Sequence, residues 1–125
     1  GMSAAKWIRY TISLRHLALG YGRGPYILVE DTFPALKVWR ACPESPVICT
    51  LGTDVQQAVL LRMRGGRAFV MYDGDSAGGI GAMAWRRHAL PGQQITYAVA
   101  LNGLDPKDME VAEIRAHLKG VGYGD

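Results

Sequence analysis

Two aspartates separated by one residue, Asp73 and Asp75, follow directly after an apolar run at residues 68–72. Small residues come next, and a helical pattern then runs over residues 80–87. In α/β sheets, ligands gather at the carboxyl ends of strands, and Mg²⁺ takes oxygen ligands from one or two carboxylates. Asp-Gly is also a hairpin turn signal, but the downstream residues do not alternate as a second strand should. The pattern therefore favours a strand, a loop and a helix around a divalent-cation site.

Further acidic residues stand at the ends of other predicted strands. Glu30 and Asp31 follow the apolar run 26–29, and Asp105 comes after the run 95–101. Parallel strands bring their carboxyl ends to one edge of a sheet, so these acids are expected near Asp73. Such an accumulation is unfavourable unless a cation neutralises it. Simpler roles stay open for two of them, because Asp105 before proline suits a helix N-cap and Asp31 suits a helix start.

The elements that must position these acids alternate regularly along the chain. Four apolar runs predict strands at 26–30, 47–51, 68–72 and 95–101, and each is followed by a helical pattern. Helix starts are predicted at Thr32, at the capping-box sequence Thr53–Gln56, after Asp75, and at Asp105. Strands this apolar are buried on both faces. We therefore predict a compact α/β domain with a four-stranded parallel sheet and helices on both faces.

The bulk properties restrict the class of protein. With 125 residues, of which 49% are hydrophobic and 20% charged, the chain suits one globular domain at residues 26–120. Residues 1–25 are expected to form an N-terminal extension with a strand pattern at 6–14, and Gly1 to be a tag remnant. A net charge of +3 permits nucleic-acid binding. No membrane-length segment or signal peptide is visible, and Cys42 and Cys49 lack zinc-site spacing, so a cytoplasmic protein without a membrane partner is expected.

The motifs resemble those of the toprim domain, which is shared by primases, type IA and type II topoisomerases and some nucleases. The family pattern is a hydrophobic strand ending in glutamate, here 27–30, and a second strand ending in Asp-x-Asp before small residues, here 70–78. The segments 51–53 and 105–108 are also similar to primase-type members, and 29–38 is closest to phage primase or primase–helicase versions. The resemblance covers residues 26–118. Asp31 stands where many members have glycine, and the zinc-binding and template-binding modules of a complete primase are not visible.

The resemblance implies a Rossmann-like fold and Mg²⁺- or Mn²⁺-dependent nucleotidyl-transfer or phosphodiester chemistry on nucleic acid. It implies that Glu30 acts as general acid or base, that Asp73 and Asp75 bind the metal, and that Asp105 is an outer or second-metal ligand. DNA, with ribonucleotides as co-substrates, is the implied partner, and a helicase or other replication proteins are compatible with it. Three alternatives stay open within the family: a primase-like protein, a small nuclease, and a non-catalytic unit of a replication complex.

Basic residues are candidates for phosphate contacts. Lys37, Arg40 and Lys107 are the expected nucleic-acid-binding residues, with Lys107 nearest to the acidic edge, although a solvated helix face explains each of them equally well.

Two alternatives come from other classes. The segment 79–84 fits the glycine fingerprint of a dinucleotide-binding domain, but it begins well after its strand and behind two acids. A haloacid-dehalogenase-type phosphatase also uses a strand-end Asp-x-Asp, but it needs further lysine and acidic motifs downstream.

Overall fold

The fold is built on a five-stranded sheet in a computed structural model that describes residues 16–20, 24–63, 66–99 and 104–124. The strand order is β1-β3-β2-β4-β5. The strands are β1 (Leu17–Leu19), β2 (Tyr26–Val29), β3 (Val47–Cys49), β4 (Arg67–Val70) and β5 (Gln94–Tyr97). The strand predicted over residues 6–14 lies outside the described residues.

The sheet confirms the predicted α/β class and corrects the predicted number of strands. Strands β2 to β5 are parallel, as expected, but β1 adds a fifth strand that pairs antiparallel with β3, with Leu17 opposite Cys49 and Leu19 opposite Val47. This strand lies within the predicted extension 1–25. Three residues are too few to produce a recognisable alternation, and β1 becomes a strand because it covers the open edge of β3.

Helices cover both faces of the sheet, which confirms the predicted layering. The helices are α1 (Thr32–Ala41), α2 (Gln57–Arg62), α3 (Ser76–Arg87) and α4 (Val111–Gly120), with a 3₁₀ turn at Pro106–Asp108. Ile27 and Val29 of β2 face the core beneath α1 and α4, whereas Leu28 faces the core beneath α2 and α3. This alternation places apolar side chains on both faces. None of the described helices combines the length and the apolar character that crossing a membrane requires.

Two predicted helix starts are wrong, and in each case a side chain of the expected capping sequence makes a hydrogen bond elsewhere. Helix α2 begins at Gln57 instead of directly after Thr53, and Gln56 Nε2 donates to the Thr50 carbonyl oxygen at 2.7 Å. The expected start of the last helix forms only the 3₁₀ turn Pro106–Asp108, and α4 begins at Val111 with a capping box made by Glu110 and Glu113. Local capping signals were therefore present but were overridden by packing.

Candidate active site

The two acidic strand ends that the sequence singles out are in direct contact. Glu30 follows β2, and Asp73 lies beyond the end of the neighbouring strand β4. The Met71 N–H donates to the Leu28 carbonyl oxygen at 2.8 Å, so the parallel pairing continues past β4. The Asp73 N–H then donates to Glu30 Oε1 at 2.9 Å. Parallel pairing of two buried strands therefore brings the predicted acid–base residue to the predicted metal-binding loop.

Asp75 has a structural role that the sequence analysis did not assign to it. It is the N-cap of α3, and its Oδ1 accepts a hydrogen bond from the Gly78 N–H at 2.7 Å. Aspartate is among the best N-cap residues, so the signal was present in the sequence. The side chain remains exposed. Capping fixes one carboxylate oxygen of Asp75 at the start of the helix, which also fixes its position next to Asp73.

Asp105 also contacts this loop. Its Oδ1 accepts a hydrogen bond from the Gly74 N–H at 3.0 Å, and its Oδ2 lies 3.9 Å from Lys107 Nζ. It precedes the 3₁₀ turn but makes no side-chain cap there. Between them, Glu30 and Asp105 hold two consecutive backbone N–H groups of the 73–75 loop, so the contacts favour a role in the acidic cluster over simple capping.

The pKa values of two carboxylates in this acidic cluster, Glu30 and Asp73, are raised. Burial is the main cause of the raised pKa of Glu30, and repulsion from Asp73, Asp75 and Asp31 adds to it, against the opposing hydrogen bond from the Asp73 N–H. The pKa of Asp73 is raised first by burial and then by repulsion from neighbouring carboxylates, with Asp105 the strongest. Lys107 opposes that shift. Like charges are therefore crowded here and incompletely neutralised by the protein.

This raised proton affinity predicts a pH dependence of stability. The pKa of Glu30 is higher in the folded state than its ordinary value near 4.5, so the folded chain keeps this proton to a higher pH than the unfolded chain. Raising the pH from the ordinary pKa through the folded-state pKa therefore removes stability. We expect the unfolding free energy of the wild type to fall relative to that of Glu30→Gln as the pH rises from 4 to 8. Urea unfolding in EDTA measures this difference, and a difference that is constant or grows with pH contradicts the prediction. Glutamine keeps an oxygen for the Asp73 N–H, so the variant isolates the charge.

The carboxylates suit an open Mg²⁺ site better than a closed cage. Among the described residues, no three His, Cys, Asp or Glu side chains converge closely enough to form a ready-made metal site. Mg²⁺ does not need such a cage, because it keeps several waters and binds through one or two carboxylates. Asp73 fits this requirement, since its carboxylate is half-buried, repelled by its neighbours, and accepts no hydrogen bond from any described residue. The ligand roles of Asp73, Asp75 and Asp105 stay predictions.

The predicted phosphate-binding cations lie beside this edge. Lys37 Nζ on α1 donates to the Lys107 carbonyl oxygen at 2.8 Å, which joins the two segments that carry them. Arg40 lies one helical turn after Lys37 and is exposed. The structure thus brings Lys37 and Lys107 together and places Arg40 on the same helix. Their role in nucleic-acid binding stays a prediction.

A buried hydroxyl pair beneath the site was missed by the sequence analysis. Thr50 Oγ1 lies 2.8 Å from the Tyr72 hydroxyl, 3.1 Å from the Val29 carbonyl oxygen and 2.6 Å from that of Gly52. The contacts link the ends of β2 and β3 to the segment that leads to Asp73. Burial holds the pKa of Tyr72 far above its ordinary value, so its hydroxyl stays protonated and available as a donor. A tyrosine at the end of an apolar run was the available signal.

We expect Thr50→Val to lower the unfolding free energy by about 1–3 kcal/mol, because the Tyr72 hydroxyl is left buried without its acceptor. Urea unfolding at constant pH provides the measurement. Thr96→Val is the matched control, since Thr96 is a half-buried strand residue whose hydroxyl makes no hydrogen bond with another described residue. Equal losses in the two variants would contradict the assigned role of Thr50.

The glycines after Asp75 serve helix packing. A Cβ on Gly78 would overlap the Asp73 carbonyl oxygen, and one on Gly81 would lie 2.7 Å from Thr53 Cβ. A dinucleotide fingerprint needs free N–H groups in the turn after a strand. Here Gly79 is inside α3, and the N–H groups of Gly78 and Gly79 both donate to Asp75. The arrangement therefore disfavours the dinucleotide-binding alternative.

Known structures share this architecture. The Aquifex aeolicus primase, as its zinc-binding and RNA polymerase domains, matches with a TM-score of 0.66 and 25% identity, over 79% of this chain and 26% of that one. A small TOPRIM domain protein from Bacillus stearothermophilus matches with a TM-score of 0.61 and 19% identity, over 84% and 93%. The RNA polymerase domain of Mycobacterium tuberculosis primase, solved with a double-stranded DNA oligomer carrying a 6-nucleotide overhang, matches with a TM-score of 0.55 and 23% identity, over 78% and 33%.

These matches confirm the resemblance found in the motifs. No protein-family model and no curated protein matches the chain. The chain spans about a quarter of the Aquifex primase chain but nearly all of the small TOPRIM protein, with 26% and 93% covered. The match to the small protein, at 19% identity, shows a shared fold, and the sequence identity to the Aquifex primase is higher, at 25%. The chain therefore has a toprim fold, and its structure is similar to those of bacterial primase domains.

Proposed function

We propose that this chain performs Mg²⁺- or Mn²⁺-dependent nucleotidyl-transfer or phosphodiester chemistry on nucleic acid, as the toprim domain of a primase-like replication protein. One observation carries the proposal: the Asp73 N–H donates to Glu30 Oε1 at 2.9 Å, which joins a proton-transfer candidate to a metal-binding candidate. The similarity to the two primases supports nucleic acid as the substrate class.

Glu30 is the group that would move a proton. Its Oε1 is engaged by the Asp73 N–H, so Oε2 is the atom that can take a proton from an attacking hydroxyl or give one to a leaving group. The raised pKa of Glu30 brings its proton affinity closer to neutral pH, which suits general acid–base catalysis. Burial is the main cause of that raised pKa, and repulsion from Asp73, Asp75 and Asp31 adds to it.

Asp73, together with Asp75, would hold the metal. When bound, Mg²⁺ would neutralise charge on a phosphodiester or triphosphate and orient it for in-line displacement. Asp105 fixes the Gly74 N–H and so sets the conformation of the loop between the two aspartates. It would act on the reaction by positioning that loop, or as a ligand through Oδ2. Lys37, Arg40 and Lys107 would contact the phosphates.

A single incubation tests the proposal: labelled single-stranded DNA, the chain, Mg²⁺ or Mn²⁺, and all four ribonucleotides. New short oligoribonucleotides are the expected result for a primase-like activity. Shortened DNA would instead identify the chain as a toprim nuclease, the second candidate. DNA left untouched and no new product with either metal would contradict catalysis by this chain and favour a non-catalytic unit of a larger complex.

A further inference from the structure

Helix α1 carries an exposed stripe that the core does not use. Phe33, Leu36, Lys37 and Arg40 follow one another at helical spacing and share one face. Phe33 is 66% exposed and Leu36 is 50% exposed, although both are large apolar side chains. The opposite face of α1 is buried against the sheet and α4. We call these four residues the α1 stripe.

The charged side chains within α1 are all positive. Helix α1 contains two cations, Lys37 and Arg40, and no acidic residue. The hydrogen bond from Lys37 to the Lys107 carbonyl brings a third cation beside the stripe. Two of the three ammonium donors of Lys37 remain for other acceptors. Acids flank the stripe on two sides: Glu30 and Asp31 precede α1, while Asp105 and Asp108 lie at the 3₁₀ turn, with Asp105 3.9 Å from Lys107.

Phe33 is the ring best placed to receive a ligand. It stands in the first turn of α1, two residues after Asp31, and therefore borders the acidic edge. The indole of Trp39 is less accessible, because a Cβ on Gly20 would lie 2.7 Å from Trp39 Nε1. An exposed aromatic ring among cations is the pattern with which proteins bind single-stranded nucleic acid, since bases stack on the ring and phosphates meet the charges.

A second exposed face, on α3, provides a contrast. Ile80 is 67% exposed and Met83 is 50% exposed, with Arg86 and Arg87 nearby. Ile80 and Met83 offer no ring for a base, and the aromatic residue at this face, Tyr97, is half-buried in β5. The α3 face therefore has comparable exposure and charge without an exposed ring, which makes it the matched reference for the α1 stripe.

We propose that single-stranded nucleic acid binds along the α1 stripe, with a base stacked on Phe33 and the phosphates contacted by Lys37, Arg40 and Lys107. This inference rests on the proposed function and specifies its substrate as a single strand that reaches the acidic edge over α1. Bases inside a duplex are already stacked on one another and cannot stack on the ring, so the stripe is expected to favour the single strand.

The test measures the affinity of the 125-residue chain for a labelled oligothymidylate and for a duplex of equal length, by fluorescence anisotropy in EDTA. We expect Phe33→Ala to weaken single-strand binding about tenfold and to leave duplex binding unchanged, because one stacked base is lost. Phe33→Trp should restore the affinity and report binding through quenching of the new indole. Arg40→Gln should reduce the salt slope by about 0.7, the loss of one phosphate contact.

Ile80→Ala is the control and should change neither affinity. Single-strand affinity that is unchanged in Phe33→Ala, or lost equally in Ile80→Ala, overturns the stacking role while the metal-dependent activity of the wild type still supports the proposed function. A wild-type dimer that Phe33→Ala dissociates overturns it in favour of a second copy of this chain. A chain that binds no nucleic acid overturns both proposals. Because Phe33 is mostly exposed, its variants should unfold at the wild-type urea concentration.

Discussion

Asp73→Asn is expected to lower the divalent-ion-dependent activity by roughly 1,000-fold, which corresponds to about 4 kcal/mol of lost transition-state stabilisation. Asparagine keeps the size of the side chain but removes the charge that would hold the metal. The backbone N–H of residue 73 is unaffected and can still donate to Glu30 Oε1. The loss would therefore report the carboxylate itself, and initial rates over a range of Mg²⁺ concentrations measure it.

The same variant should be as stable as the wild type or more stable at pH 7 in EDTA. The raised pKa of Asp73 means that its charged form is disfavoured in the folded state, first by burial and then by Asp105 and other acids. Removing that charge relieves the repulsion. Adding Mg²⁺ should raise the melting temperature of the wild type, because ligand binding to the folded state stabilises it, and should have little effect on Asp73→Asn.

Glu113→Gln is the control for a lost negative charge. Glu113 belongs to the capping box of α4, a position that glutamine also fills, and it is not among the charges that shift the pKa of Asp73. It should keep both activity and the Mg²⁺-induced rise in melting temperature. Full activity in Asp73→Asn, or equal losses in both variants, would show that the metal is held elsewhere.

Gly78→Ala should damage the site through packing alone. The new Cβ would overlap the Asp73 carbonyl oxygen and lie 3.0 Å from its carbonyl carbon. Both neighbours are backbone atoms, so no flexible side chain can move aside. We expect a loss of about 1–3 kcal/mol in unfolding free energy from overpacking. Because Asp73 must shift, we also expect activity to fall about 100-fold, the typical cost of misplacing a reacting group by about 1 Å.

Gly120→Ala is the matched control, since Gly120 also lies in a helix and a Cβ there would meet nothing within 4 Å. It should be neutral or slightly stabilising, because alanine reduces the entropy of the unfolded chain. Urea unfolding and the activity assay compare the two variants. If Gly78→Ala behaved like Gly120→Ala, the close contact between α3 and the Asp73 backbone would not limit the site.

The part of the site that the sequence predicted depends on strand pattern and polarity. Continuous apolar runs ending in acids identified β2 and β4 as buried parallel strands, and parallel pairing was sufficient to expect Glu30 beside Asp73. The predicted fold class follows from the same runs. A strand pattern does not indicate which hydrogen bonds an individual carboxylate makes. Examples are the cap that Asp75 makes and the contact between Asp105 and Gly74.

The remaining differences come from contacts between distant segments. β1 becomes a strand only because β3 lies beside it, and Thr50 joins Tyr72 across 22 positions of sequence. The last helix starts later than its local signals indicate, at Val111, because Asp105 is drawn to the 73–75 loop. Each of these residues has a locally reasonable role that tertiary structure replaces. The α1 stripe likewise becomes visible only when side-chain exposure is known.

The pairing of β1 with β3 has a practical consequence for anyone who expresses this domain. Starting the chain at Tyr26, where the apolar runs begin, would delete β1 and leave one side of β3 without hydrogen-bonding partners. Val47, Ile48 and Cys49 are buried and apolar, so the exposed edge would be a template for intermolecular pairing. A soluble recombinant fragment should therefore begin before Leu17, because the segment ahead of the motifs protects the sheet from aggregation.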